Sequence, residues 1–188
     1  MLIHKEQSLI EVFNSVKQEL KLSTVDKKHP FRYTVLSTQG THVRSRYVVL
    51  REIADNFQFI IYTDSRSRKV NELAKHNEAQ LLFYHPKKQV QVVLTGYASI
   101  LQHEEFSQQA WGKVQGPARK AYNTQKSPGE PIDKPTEGHL WREAMDDRYF
   151  AVITIDPKEI EVLQLNKSEH LRASFQYKND WAGEWLVP

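Results

Sequence analysis

The sequence predicts a mainly β fold: a closed or nearly closed antiparallel β-barrel with helices at its periphery. Three observations carry that prediction. About seven or eight segments are β-rich or alternate apolar with polar residues. The first three follow one another through short links, which antiparallel neighbours allow and parallel ones do not. Helical spacing is confined to a few stretches outside them.

Residues 8–22 read as an amphipathic helix, with Leu9, Ile10, Phe13, Val16 and Leu20 at helical spacing. A polar link over 26–30 follows, and the period then changes. Residues 31–37 are β-rich and run into Thr38-Gln39-Gly40, a turn signal. Residues 43–51 and 57–63 give the second and third strands, joined by a hairpin-length link over 52–56. Ser67 opens a short helix with Val70, Leu73 and Ala74 as its apolar stripe, and Lys75 and His76 suit its C-terminal end. Residues 79–85 and 89–101 read as strands, with Gly96 a bulge or close-packing point. Residues 103–111 read as a helix. Residues 115–136 form a long loop marked by Gly116-Pro117, Ser127-Pro128-Gly129 and Pro131, and loops of that length often carry function. Residues 137–145 are expected to be helical. Strands are expected over 149–155, 159–164, 171–177 and 184–187. No repeat and no boundary divides the chain, so its 188 residues are one domain.

Composition excludes several classes. An apolar share of 39% supports a sizeable core and excludes a disordered chain. No apolar run approaches the roughly 20 residues of a membrane helix, so no membrane partner is expected. Residues 1–7 are polar, so no signal peptide is expected. The chain has no cysteine, which removes disulfides, thiolate metal sites and cysteine nucleophiles. A cytoplasmic location is the expectation. The eight histidines show no H-x-x-x-H or H-E-x-x-H spacing, so no metal is expected; His4, His29, His76 and His103 read as surface residues. The four tryptophans read as core or interface anchors. No G-x-G-x-x-G or Walker sequence is present.

The charge is informative through its location. Residues 44–69 hold Arg44, Arg46, Arg51, Arg66, Arg68 and Lys69 against Glu52, Asp55 and Asp64, a net +3. The rest of the chain balances, 20 basic against 20 acidic residues. A local anion site is expected rather than a nucleic-acid surface. Arg66, Arg68 and Lys69 stand at the entry to the helix opened by Ser67, where unpaired N–H groups favour a phosphate and cations alone oppose the macrodipole. Strand parity separates Arg44 and Arg46, which share a face with Val48 and Leu50, from Arg51, which shares one with Tyr47 and Val49. One pocket can use both Arg46 and Arg51 only at a strand end, at a bend, or between subunits.

These segments resemble the flavin-binding core of the pyridoxamine 5′-phosphate oxidase family. Arg46-Tyr47-Val48-Val49-Leu50-Arg51 is similar to the family's R-x-V-L-L-K, and Tyr62-Thr63-Asp64-Ser65-Arg66-Ser67-Arg68-Lys69 to its Y-T-N-x-x-S-R-K. Val90-Gln91-Val92 with Gly96 matches its R-Q-V strand. Ser168-Glu169-His170-Leu171-Arg172 partly matches R-L-H-D-R, and Trp185-Leu186-Val187-Pro188 the terminal R-L-A-P. The resemblance implies an FMN-binding split barrel, working as a homodimer with FMN at the subunit interface. It places Arg46, Ser67, Arg68 and Lys69 on the FMN phosphate and Val48, Val49, Tyr62 and Thr63 along the flavin pocket. Gln91 would bond the ring or ribityl end, and Arg172 would approach the ring. Ser127, beside Gln125 and Lys126, resembles a Q-S pair contributed by the second subunit.

The departures fall on the substrate side. The family Lys is Arg51 here, and the Arg of R-L-H-D-R falls on Ser168. Substrate-phosphate residues fall near Gln109, Lys113 and Pro117, and an expected Trp falls on Leu163. The expectation is therefore an FMN-dependent oxidoreductase with a diverged site and an unidentified small-molecule substrate. Arg51 and His170 are the catalytic candidates, with Arg172 beside them. The alternatives are a non-catalytic flavin-binding module and a true pyridoxamine or pyridoxine 5′-phosphate oxidase.

Overall fold

Eight strands join in one antiparallel sheet among the described residues of the computed structural model, 1–166 and 169–188. They are β1 (Tyr33–Gln39), β2 (Val43–Ile53), β3 (Phe59–Asp64), β4 (Glu78–His85), β5 (Val90–Leu101), β6 (Phe150–Gln164), β7 (Leu171–Gln176) and β8 (Gly183–Leu186). Their order is β3-β2-β1-β4-β5-β6-β7-β8, and β3 also pairs with β6. That last pairing closes six strands into a barrel, and β7 and β8 extend the sheet beyond it. The expected barrel is therefore present, and so is the meander of its first three strands.

Strand β6 makes both the barrel and the extension. Its residues 150–155 pair with β3, and 159–164 pair with β7, while β5 lies along the other edge. At the exchange, Thr95 faces Glu159 and Gly96 faces Pro157, so Lys158 is the extra residue of a bulge. A Cβ on Gly96 would collide with the Asp156 carbonyl. The sequence broke this strand in two at 155–159; the structure shows one strand, because a bulge tolerates the missing N–H of Pro157.

Side chains of alternating residues fill the barrel: Leu36, Val48, Leu50, Phe59, Phe83 and Ile153 are among those buried there. Helix α1 (Leu9–Val25) runs three residues past the expected end. Ser8 caps it, its N–H donating to the Glu11 carboxylate at 2.8 Å. Val12 takes the buried place expected for Ile10, which is 62% exposed. Helix α2 (Arg68–Lys75) buries Val70 and Leu73, with Glu72 rather than Ala74 completing the covered face.

Helix α3 (Glu105–Gly112) and the turn after it pack outside the barrel, where Ala110, Val114 and Tyr122 meet Ile60, Phe150 and Val152. The helix expected over 137–145 reduces to a 3₁₀ turn at Pro135–His139. Leu140 and Trp141 after it are 48% and 37% exposed, so no apolar stripe exists to hold a helix.

His29 is not a surface residue: its side chain is 9% exposed. Its Nε2 lies 3.1 Å from the buried Glu19 carboxylate, which also takes Lys88 at 2.6 Å and has His85 at 3.7 Å. Both imidazoles accept a backbone N–H at Nδ1, from Phe31 and Lys88. Their protons therefore sit on Nε2, toward Glu19. A metal ligand in neutral imidazole needs the opposite arrangement. The cluster ties α1 to the link before β1 and to the end of β4. No helix among the described residues is long and apolar enough to cross a membrane.

Candidate functional site

Strand β3 ends at Thr63–Asp64, a tight turn follows, and Ser67 stands at the N-cap of α2. This brings three polar groups together. The Lys69 ammonium donates to the Thr63 hydroxyl at 2.9 Å and to the Ser67 hydroxyl at 3.2 Å. The two hydroxyls are 3.3 Å apart. No carboxylate lies within ion-pair distance of Lys69 among the described residues. Burial pulls its pKa below the usual lysine value, and the neighbouring Arg46 lowers it further.

Arg46 donates to the Thr38 hydroxyl, to the Leu36 carbonyl at 3.4 Å and to the Glu72 carboxylate at 2.9 Å. Arg44 meets the other Glu72 oxygen at 3.3 Å. Burial pushes the Glu72 carboxyl up, but the Thr38 hydroxyl and the two guanidiniums outweigh it and hold the group below its ordinary value. Two cations, Arg44 and Arg46, thus share one carboxylate of α2.

Two expected phosphate ligands stand differently. Arg68 points outward into a cleft of about 500 Å³ with Arg44, Asn71 and Lys75. Arg66 pairs with Asp64 at 2.7 Å, stacks on Tyr149 at 3.7 Å, and donates to the Thr124 carbonyl at 3.0 Å. It fastens the loop to the turn, its guanidinium already engaged by Asp64, Tyr149 and Thr124. Through Arg66 the loop of Gln125, Lys126 and Ser127 lies beside its own chain's α2. The Ser127 N–H donates to Glu130 at 3.0 Å, Gln125 donates to the Trp141 carbonyl, and Lys126 pairs with Glu137 at 2.7 Å.

A second group forms outside the barrel. Arg51 is the extra residue of a bulge between β2 and β3, which turns it away from Arg46, as parity required. Its guanidinium lies 5.4 Å from the Tyr62 ring centre and opposes the burial that raises the Tyr122 phenol, while its buried Nε has no partner. Burial raises the Tyr62 phenol, chiefly against the pull of Lys113, which pairs with Glu52 at 3.1 Å. Val48 is buried in the core, so only its backbone is open to a ligand; Val49 is half-buried on the outer face.

The third group lies on β5, β6 and β7. Gln91, Leu163 and Arg172 are register neighbours in one row. Arg172 donates to both Glu161 oxygens at 2.9 Å, and its buried Nε is unpartnered. His170 is exposed, accepts the Asn166 N–H at 3.0 Å, and shares a cleft of about 270 Å³ with Arg172, Trp185 and Pro188. Ser168 lies outside the described residues.

The structure therefore assembles Arg46, Thr63, Ser67 and Lys69, but keeps Gln91 and Arg172 apart from them. Thr63 faces Ala151 on β6, and Gln91 and Arg172 face Leu163, 12 residues further along the same strand (163 − 151 = 12). That is about 40 Å of strand path at about 3.3 Å per residue. Sequence reasoning missed Thr38 and Glu72. The one available signal was an acid beside Leu73 on the face of α2 that must be covered.

Residues 10–102, from α1 through β5, match the family model of the pyridoxamine 5′-phosphate oxidase FMN-binding domain. The likeness to that family spans 93 of the 188 residues. The Thr63–Ser67–Lys69 cluster falls within the FMN-binding domain so defined, whereas β6 to β8, with Arg172 and His170, lie beyond it. No curated protein matches the chain by sequence. Among solved structures, a pyridoxamine 5′-phosphate oxidase-related FMN-binding protein of Nostoc punctiforme is 19% identical with a TM-score of 0.76, each chain covered in full. PhzG of Burkholderia lata, solved with tetrahydrophenazine-1-carboxylic acid, is 22% identical with a TM-score of 0.73, covering 94% of this chain and 92% of its own. General stress protein 26 of Bacillus anthracis is 18% identical with a TM-score of 0.53, covering 84% and 98%. At these identities the likeness shows the split-barrel fold.

Proposed function

We propose that the chain binds FMN and is an oxidoreductase for a small molecule, working as a homodimer with the flavin between subunits. The observation that carries this reading is Lys69. A half-buried ammonium held by two hydroxyls and no carboxylate, beside Arg46 and at the start of a helix, fits a phosphate dianion. The donor set suits that group and no transition metal. Lys69, Ser67 and Thr63 would hold the phosphate. Arg46 would reach it from Glu72, and Arg68 by turning in from the cleft. When bound, FMN supplies hydride transfer.

The dimer is supported by the outer sheet face. Tyr47, Val35, Leu82 and Val93 form one register row across β2, β1, β4 and β5, and Tyr33 and Tyr84 beside it are 60% and 47% exposed. Gln91 and Arg172 lie in the next row. A second copy covering this face supplies Gln91 and Arg172 to a cofactor whose phosphate sits at Lys69. Arg51 and Tyr62 then flank the open side of the pocket, with Arg51 offering positive charge to an anionic substrate. The bidentate hold of Glu161 on Arg172 favours one second reading, a flavin-binding module without turnover.

The test is an absorption spectrum of the purified protein, followed by anaerobic mixing with reductants. Yellow protein with a flavin spectrum is expected. Colourless protein that takes up no added FMN rejects the proposal; bound flavin without turnover selects the second reading.

A further inference from the structure

A cleft of about 350 Å³ opens where β6 leaves β3 and takes β7. Its size suits a small organic ligand. Its walls are aromatic: Phe57 and Trp181 at the base, Tyr97 and Tyr177 at the rim, 48% and 57% exposed. Trp181 is fixed in place by stacking on Phe13 at 5.3 Å between ring centres. Two opposite charges face the same space, Asp156 and Lys158, on either side of Pro157.

These charges do not neutralise each other. Neither belongs to an ion pair among the described residues. Asp156 accepts one hydrogen bond, from the Gln58 amide at 2.9 Å. The Lys158 ammonium rests over the Tyr177 and Tyr97 rings, 5.0 and 5.7 Å from their centres. The bulge that makes Lys158 the extra residue of β6 is what aims it here.

The backbone is strained around the same cleft. Phe57, Asp180 and Trp181 have φ of 67°, 53° and 61°, three of the five non-glycine residues with positive φ among the described residues. Such residues persist where surrounding structure fixes them, and they gather at ligand clamps. An unpaired carboxylate, an unpaired ammonium and a fixed aromatic base together fit a ligand with the complementary set.

We infer that this cleft binds an aromatic α-amino acid, its ammonium on Asp156, its carboxylate on Lys158 and its ring against Tyr177 and Trp181. Neither the cleft nor its charges belong to the proposed flavin pocket. A polar row of Thr95 and Glu159 separates Tyr97 from the apolar row containing Val93.

The test compares three probes by calorimetry on the full chain: L-phenylalanine, phenethylamine without the carboxylate, and 3-phenylpropionate without the ammonium. Saturable binding of L-phenylalanine is expected with Kd below about 1 mM, and about tenfold weaker binding of each analogue. Lys158→Met should weaken L-phenylalanine about tenfold and leave phenethylamine unchanged. Asp156→Asn should do the same against 3-phenylpropionate; if that variant fails to fold, the exposed Lys158 variant carries the comparison. Absence of saturable binding, equal affinity for the three probes, or indifference of L-phenylalanine to Lys158→Met overturns the inference. None of these outcomes depends on flavin.

Discussion

Lys69 keeps its charge half out of water with only hydroxyls to compensate, which costs the ligand-free chain stability and favours any anion that arrives. Lys69→Met should therefore weaken FMN at least tenfold, the scale of a hydrogen bond to a charged group at about 1.5–3 kcal/mol, without lowering the melting temperature. Flavin fluorescence titration beside thermal melts checks both halves. Glu72→Gln should show the reverse. It leaves Arg44 and Arg46 without their carboxylate, at a cost of about 1–3 kcal/mol in denaturant unfolding, discounted for their partial exposure, while FMN affinity is kept. The cations of this site were legible in the sequence as a local surplus. Their pairing was not, because Arg46 meets Glu72 across 26 residues of chain and Arg66 turns back on Asp64. A charge count shows that cations gather, and only the fold decides which of them remain available.

Helix α1 owes its anchorage to Glu19, which receives His29 and Lys88 in the buried space also occupied by His85. Burial lowers the His85 pKa from 6.5, with Glu19 opposing. The unfolded chain then binds more protons than the folded one in the window just below about 6.5. Stability from this group is complete above that value and is lost as pH falls through the folded pKa. Melting temperature should hold from about pH 8 to 7 and decline between about 6.5 and 5, and His85→Gln should flatten that decline. At the other end of the barrel, Gly96→Ala should destabilise by about 1–3 kcal/mol, because Asp156 and Pro157 backbone atoms occupy the space a methyl group needs. Chemical denaturation measures it. Gly96 and most strands could be read from alternation and turn residues. The continuity of β6 could not, since Pro157 looks like a break until β6 is known to bulge there against β5. The failed helix over 137–145 has the same origin: spacing alone did not show that nothing would cover Leu140 and Trp141.

For the whole molecule, the outer rows of β1, β2, β4 and β5 present the apolar face on which the proposed dimer depends. Tyr47 is 76% exposed in the single chain. Light scattering should give twice the chain mass, and Tyr47→Asp should give one chain mass together with loss of retained flavin. The barrel itself followed from strand count and link length. Its closure by β3 on β6 did not, because the two strands are joined only after α3 and the long loop have intervened.

That closure has a consequence for the chain as it is made. Strands β1 to β5 are complete by residue 101, yet the strand that seals them begins at 150. While the intervening residues leave the ribosome, β3 and β5 each present an open edge of unpaired N–H and C=O groups. The nascent chain therefore passes through an interval in which its first five strands are made but unsealed. A ribosome pause between residues 102 and 149 would lengthen exposure to edge-to-edge aggregation, and a chaperone that shields strand edges would act in that interval.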